Sequence, residues 1–426
     1  MTDSPPSPER ENSLPGGGLP RNVVFLCHRV PHPPDRGDRI STYHALRQLR
    51  EAGSKVRVGC LCEDDRDLQA VEELRGVVDA VCAPRIDRRL RKITCFRGLV
   101  TGEPLTLPYF RSRELQKQVD RWLDEDPPDV VFLYSSSMAL YVMDRREQTR
   151  VMHFAELDSD KWRQYAAAGG AAARFIYGRE ARVLLEFERR IAREFDASLV
   201  ISEVEKALFV RDIPNVVPTV VPNGVDVEHF RSRGDQHREP HTVIFTGVMD
   251  YEPNVDAVTW FAEECFPTIR AEHADARFLI VGNRPTDAVR ALGEQPGVEV
   301  TGWVEETPPY FDRASAAIAP LRIARGLQNK VLEAMSMGLP VVATTVAAQG
   351  LGDVPSDTLP IADDAETTTA TILRLFADPA EAGAIGGRAA EFVRRVFTWD
   401  QAFERLAAVY AKVGAASTDA AGSRGS

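Results

Sequence analysis

Two successive series of short apolar runs, alternating with helix-forming stretches and divided by one proline-rich segment, constrain this chain more than any other feature. In the first series the runs are 22–27 (NVVFLC), 55–62 (KVRVGCLC), 77–84 (VVDAVCAP), 129–134 (DVVFLY), 150–155 (RVMHFA) and 197–202 (ASLVIS). Stretches between them, such as 41–53 and the charged 171–196, carry helical spacing. Short runs that are apolar throughout suit parallel strands covered by helices on both faces. Around 214–240 prolines, turn dipeptides and charge take over, and this reads as a crossover. The alternation then restarts with 242–247, 276–282, 298–302, 316–320 and 339–344, with helices expected over 255–272 and 328–337. The expectation is an α/β chain of two doubly wound, Rossmann-like domains facing across a cleft. We divide it at 21–215 and 216–398. Residues 1–20 and 414–426 read as a disordered leader and tail.

The totals exclude some functions. A net charge of −11 argues against nucleic acid as a partner. No apolar run approaches the roughly 18 residues that span a bilayer, and none near the N-terminus resembles a secretion signal, so a cytoplasmic address is expected. The cysteines (Cys27, Cys60, Cys62, Cys82, Cys95 and Cys265) are scattered through strand-like segments without paired metal-ligand spacing. They read as reduced core thiols.

In such sheets ligands sit beyond the carboxyl ends of the strands, where the loops after 246, 281, 302 and 320 fall. The chain lacks the signatures of dinucleotide redox, nucleotide hydrolysis, zinc proteolysis and esterase chemistry. What it offers is Lys330 and Glu333, three apart on one helix face, just after Gly326 and ahead of an apolar strand. A cation and a carboxylate beside a helix N-terminus suit a diphosphate carrying a sugar diol. An ordinary surface ion pair would look the same.

The ordered strings PNGVDVEHF (222–230), FTGVMDYEPN (245–254), FLIVGN (278–283), VTGWVEE (300–306) and KVLEAMSMGLPVVAT (330–344) carry a resemblance. The chain resembles the retaining GT-B glycosyltransferases of family four, and more narrowly those encoded with bacterial exopolysaccharide and exosortase systems. The resemblance covers most of 21–410, and it implies that a helix over 399–413 returns to the first domain. It implies a nucleotide-sugar donor in the second domain, with UDP favoured over GDP, a glycan or lipid-linked acceptor, and no metal or other cofactor. Glu333 would grip the ribose, Lys330 would steady the leaving diphosphate, and the amides of Gly326 and Leu327 would meet its oxygens. Gly247, Asn254, Gly282, Asn283 and Val304 would complete the donor site. Read without the family, Asn254 also suits a helix cap ahead of 255. The family's usual glutamate eight positions before Glu333 is replaced by Arg325, which would contact phosphate or an acidic sugar group.

In the first domain, 28–42 stands where the family has a glycine-rich loop. Gly37 would allow a tight turn there, with Arg36 and Arg39 available for phosphate. His153 and Asp158 lie where relatives place polar groups by the reacting sugar, although an isolated histidine suits a core role equally. Asp158-Ser159-Asp160 also spells the metal motif of GT-A enzymes, and Ser159 or Asp160 would serve as a helix cap. The basic, amphipathic 84–100 suits peripheral contact with the anionic inner face of the plasma membrane. The alternatives are a nucleotide-sugar epimerase on the same fold and a metal-dependent GT-A enzyme using Asp158 and Asp160.

Overall fold

A computed structural model describes residues 18–34, 37–87, 91, 95, 98, 101–232, 238–324 and 326–422. The first sheet contains β1 (Asn22–Cys27), β2 (Lys55–Gly59), β3 (Ala80–Cys82), β4 (Val130–Tyr134), β5 (Arg150–Ala155), β6 (Ala197–Val200) and β7 (Thr219–Val220). The second contains β8 (Thr242–Thr246), β9 (Arg277–Val281), β10 (Val298–Gly302), β11 (Ala316–Ala319) and β12 (Val341–Ala343). Their orders are β3-β2-β1-β4-β5-β6-β7 and β10-β9-β8-β11-β12. Every pairing is parallel.

Alternation of side chains along a strand supplies both layers of core at once. Val23, Phe25 and Cys27 of β1 join one apolar cluster, and Val24 and Leu26 join the other. The second domain gathers its core into one continuous cluster that includes Phe245, Phe278, Val331 and Leu332. The six cysteines are free thiols, and Cys27, Cys60, Cys62 and Cys265 are buried.

Strand order reverses between β1 and β4 in one sheet and between β8 and β11 in the other. A crevice at each carboxyl end follows from that reversal, since the chain leaves in opposite directions from neighbouring strands.

The expected helix over 255–272 is three pieces: Glu252–Trp260, a π turn over Phe261–Cys265, and Phe266–Glu272. Pro267 has no N–H to give and its ring crowds the carbonyl one turn back, so the wider turn accommodates it.

Two covalent crossings join the halves, and they touch. Val225 and Thr398 form a bridge, with the Val225 N–H donating to the Phe397 carbonyl at 2.7 Å. A Cβ on Gly224 would lie 2.4 Å from the Trp399 nitrogen, so only glycine permits this approach. Trp399 stacks on His44 of the first domain, with centroids 4.0 Å apart. The helix it begins, Trp399–Gly422, buries Leu406, Val409, Tyr410 and Val413 in the first domain's core. It runs past 413, so 414–422 is helical where an unstructured tail was expected. Alanine-rich GAASTDAA favours that continuation.

Candidate active site

The loop after β11 is set by two glycines. Gly326 adopts φ 60°, and a Cβ on Gly350 would lie 2.2 Å from the Gly326 carbonyl oxygen. This close approach holds the turn while Leu327 anchors it in the core. The helix Asn329–Ser336 follows with no side-chain cap among the described residues, and its Val331 N–H donates to the Gln328 carbonyl at 3.0 Å. Such an end favours an anion.

Lys330, one residue into that helix, is half-buried and runs beneath the end of β8. Its Nζ lies 4.3 Å from the centroid of Phe245 and donates a hydrogen bond to Asn254 Oδ1. Burial lowers its pKa to about 7, against the opposing pull of Glu333. Burial likewise raises Glu333 to about 7, opposed by Lys330. Lys330 bonds Asn254, so the exposed ion pair is not the arrangement found. The helix instead holds a desolvated ammonium and a desolvated carboxyl at one crevice, poised near neutrality.

Asn254 is not a cap. Tyr251 holds the capping position, and Asn254 sits inside the helix Glu252–Trp260, 5% exposed. Its Nδ2 donates to the Val248 carbonyl at 2.9 Å, so its oxygen is presented to Lys330. Gly247 leaves room for both: a Cβ there would be 2.7 Å from Asn254 Nδ2 and 3.2 Å from Lys330 Nζ. Gly282 has φ 154°, and its Cβ would fall 1.7 Å from the Gly247 carbonyl oxygen. The loops after β8 and β9 therefore touch backbone to backbone, and the Met249 N–H donates to the Asn283 carbonyl at 2.9 Å. Asn283 Oδ1 is buried without a hydrogen-bond partner among the described residues. A buried polar atom left without a partner calls for an explanation, and a ligand or water at this crevice is one. Val304 packs half-buried on the second core, beside a 73% exposed Trp303. Arg325 lies outside the described residues.

The first domain departs from expectation more often. Gly37 is the first residue of the helix Gly37–Glu51, with no described residue within 4 Å of where its Cβ would stand. It makes no tight turn, and the loop preceding it is shorter than 28–42. Arg36 lies outside the described residues. Arg39 turns inward to Asp67 at 2.7 Å, with the pair only 10% and 3% exposed, so it is structural. Breaking a buried pair strands the remaining charge. Asp67→Asn should therefore cost about 3–5 kcal/mol in urea unfolding, and a loss below 1 kcal/mol would contradict the assignment.

His153 lies on β5, 6% exposed. Its Nδ1 accepts from the Ala155 N–H at 3.0 Å, and it also hydrogen-bonds the Val221 main chain. Burial lowers its pKa to about 4, so it is a neutral core histidine beside Tyr134, not an exposed acid or base. Asp158 opens the helix Asp158–Ala168 and accepts from Ser136 Oγ at 3.2 Å. Asp160 is turned away, bonded to Arg163 and to Gln164 at 2.8 Å. The two carboxylates of the D-x-D string therefore serve different partners. The GT-A alternative also fails on architecture, since the second βα domain is present. Leu157 occupies the capping position of that helix, so neither Ser159 nor Asp160 is the cap.

Of the basic stretch 84–100, residues 88–90, 92–94, 96, 97, 99 and 100 lie outside the described residues. Arg85 pairs with Asp65 at 2.7 Å, and Arg91 donates to the carbonyls of Pro108 and Arg111. Among the described residues, no helix is long and apolar enough to cross a membrane.

Two features escaped the sequence reading. Glu156, carried past the left-handed Ala155 (φ 60°), brings its Oε1 to 2.8 Å from where a Gly326 Cβ would stand, so the two domains meet at this loop. The other is Glu188, fully buried in the helix Ala171–Glu194, bonded to Ser159 and pushed up to about 8 by burial and by Asp158. The charged pattern of that helix resembles a solvated face. Glu180, eight residues earlier on the same face, is also buried, accepting from the Leu105 and Thr106 amides at 2.6 and 2.9 Å.

Comparison with known proteins places this geometry. The family described as Glycosyl transferases group 1 matches residues 240–378, and the Glycosyl transferase 4-like domain matches 37–224. An uncharacterized 44.6 kDa protein in the cps region of Klebsiella pneumoniae is 21% identical, over 80% of this chain and 87% of its own. A phosphatidyl-myo-inositol mannosyltransferase of Propionibacterium freudenreichii is 28% identical over 54% of this chain, which spans about half that relative (56%). Sucrose-phosphate synthase from Thermosynechococcus elongatus superposes with a TM-score of 0.69 at 18% identity, covering 93% of this chain and all of its own. The Anabaena protein HepE in complex with UDP gives 0.64 at 13% identity, covering 92% of this chain and all of its own. Matched in both halves and built on two facing parallel sheets, the chain is a glycosyltransferase of the GT-B fold.

Proposed function

We propose that this enzyme moves a sugar from a nucleotide-diphosphate donor, UDP-linked in preference to GDP-linked, to a hydroxyl of a glycan or lipid-linked acceptor with retention of configuration. The pathway we assign is assembly of exopolysaccharide or another cell-surface glycan. A lipid-linked acceptor would be met at the inner face of the plasma membrane, where the basic residues of 84–100 suit anionic headgroups.

The observation that carries this reading is the convergence of Lys330, Asn254, Gly247 and the uncapped start of Asn329–Ser336, with Glu333 one turn on. A diphosphate would lie against the amides and the ammonium, and the ribose hydroxyls would donate to Glu333. Charge builds on the leaving diphosphate as the glycosidic bond breaks. A fixed cation and aimed amides stabilise that charge more than the ground state. The acceptor hydroxyl would enter on the face the diphosphate leaves and pass its proton to the departing diphosphate oxygen, which returns the original anomer without a protein nucleophile. Support for UDP comes from neighbours solved with it, HepE among them and TarM with UDP and a GlcNAc-glycerol. A relative in a cps region favours the glycan pathway.

The test is calorimetric binding of UDP and GDP, followed by transfer assays with the sugar forms of the tighter nucleotide. Glu333→Gln should weaken UDP binding about 10- to 100-fold, the span of a hydrogen bond to a charged group. Equal affinity in the variant and the parent would refute this placement of the ribose.

A further inference from the structure

On the rim opposite the proposed donor site, at the amino ends of β8 and β9, three metal-ligating side chains come together. His241, His273 and Asp275 each present a ligand atom within 4.8 Å of the others. His241 immediately precedes β8, while His273 and Asp275 lie in the tight turn between the helix Phe266–Glu272 and β9. The main chain fixes both sides: the Arg277 N–H donates to the His241 carbonyl at 3.0 Å, and the Ala276 N–H to that of His273 at 2.9 Å.

His241 Nδ1 is 2.9 and 3.1 Å from the two Asp275 oxygens. The two imidazoles face each other with centroids 3.8 Å apart and planes inclined at 31°. Phe376 closes one side, at 5.2 Å from the His241 ring and 5.7 Å from that of His273. Asp275 is 67% exposed, so the other side opens to solvent.

We propose that His241, His273 and Asp275 form a binding site for a divalent first-row cation of the zinc class. Two imidazoles and one carboxylate suit zinc, nickel or copper, and an oxygen-seeking ion such as magnesium would be rejected. Ligand atoms around tetrahedral zinc lie about 3.3 Å apart, given bonds of about 2.0–2.1 Å. The His241–Asp275 spacing is already close to that, and a rotation of the His273 ring completes the set. Water takes the fourth position on the open side. The cation would bind the start of β8 to the turn before β9, a full strand length (about 17 Å) from Lys330, and would take no part in transfer.

The experiment titrates metal-free, full-length protein with zinc by calorimetry, with magnesium as the contrast and cobalt absorption as a report of geometry. We expect one zinc per chain, no heat with magnesium, and a melting temperature raised by several degrees at saturation. His273→Ala and Asp275→Asn should each weaken zinc at least tenfold while UDP binding stays unchanged. Asp275 is exposed, so its variant keeps the test valid if a histidine variant folds poorly. Absence of saturable zinc binding, or the same affinity in both variants, would overturn the proposal.

Discussion

A Lys330→Met enzyme is expected to lose about 10²–10³-fold in kcat, the range for removing one preorganised group that stabilises developing negative charge. Methionine preserves length and the contact with Phe245, so the fold should persist while the diphosphate loses its ammonium. The pH profile separates charge from packing. With Lys330 and Glu333 both near 7 in the free protein, the pair titrates as a unit. Above pH 7 Lys330 is neutral and must take up a proton when a diphosphate arrives, so UDP affinity should fall by up to tenfold per pH unit. Below pH 7 Glu333 gains a proton and accepts hydrogen bonds less well. Affinity in the parent should therefore peak near neutrality. In Lys330→Met the alkaline limb should vanish. A variant that turns over within a factor of five of the parent would show that the ammonium does not serve the leaving group.

Stability should bear the same burial with opposite signs. The folded pKa of Lys330 is depressed, so between about 7 and 10.5 the unfolded chain carries a proton that the folded chain lacks. This group's penalty is greatest below pH 7 and lessens as pH rises. Glu333 is raised, so its penalty grows as pH climbs from 4.5 towards 7.

The second large effect is expected at Gly282. Even alanine there would put its Cβ 1.7 Å from the Gly247 carbonyl oxygen, in a backbone region that L-residues avoid. The loops after β8 and β9 would have to part, moving Gly247 and the Asn254–Lys330 pair with them. We expect Gly282→Ala to cost roughly 3 kcal/mol or more, combining backbone strain with overpacking. UDP binding should weaken as well. Gly302→Ala is the matched control: φ is also positive, at 69°, but no described residue lies within 4 Å of its Cβ, so about 1 kcal/mol is expected. Comparable losses in the two variants would show that the touching loops are not what the site rests on.

Much of the fold was legible in the sequence because buried parallel strands are written as unbroken apolar runs. Those at 22–27 and 150–155 are strands over those residues. That Lys330 and Glu333 share a helix face was legible from spacing, but spacing fits a surface ion pair equally, and the roles given to them came from the resemblance. Asn254 was half legible: its neighbourhood was clear, but only the left-over carbonyl of Val248 explains why its oxygen turns to Lys330. Arg39 and Glu188 were not legible. A charge reads as exposed until its partner is known, and their partners, Asp67 and Ser159, are distant in sequence. Glu156 was hidden for a related reason, because its direction depends on the unusual φ of Ala155.

Because both covalent links pass through one spot at Gly224 and Thr398–Trp399, the halves are joined like a ball joint rather than by two separated bolts. Rotation about that point changes the gap at the far rim while stretching neither link. A bulkier residue at 224 would push the links apart, and the two halves would no longer share a single pivot.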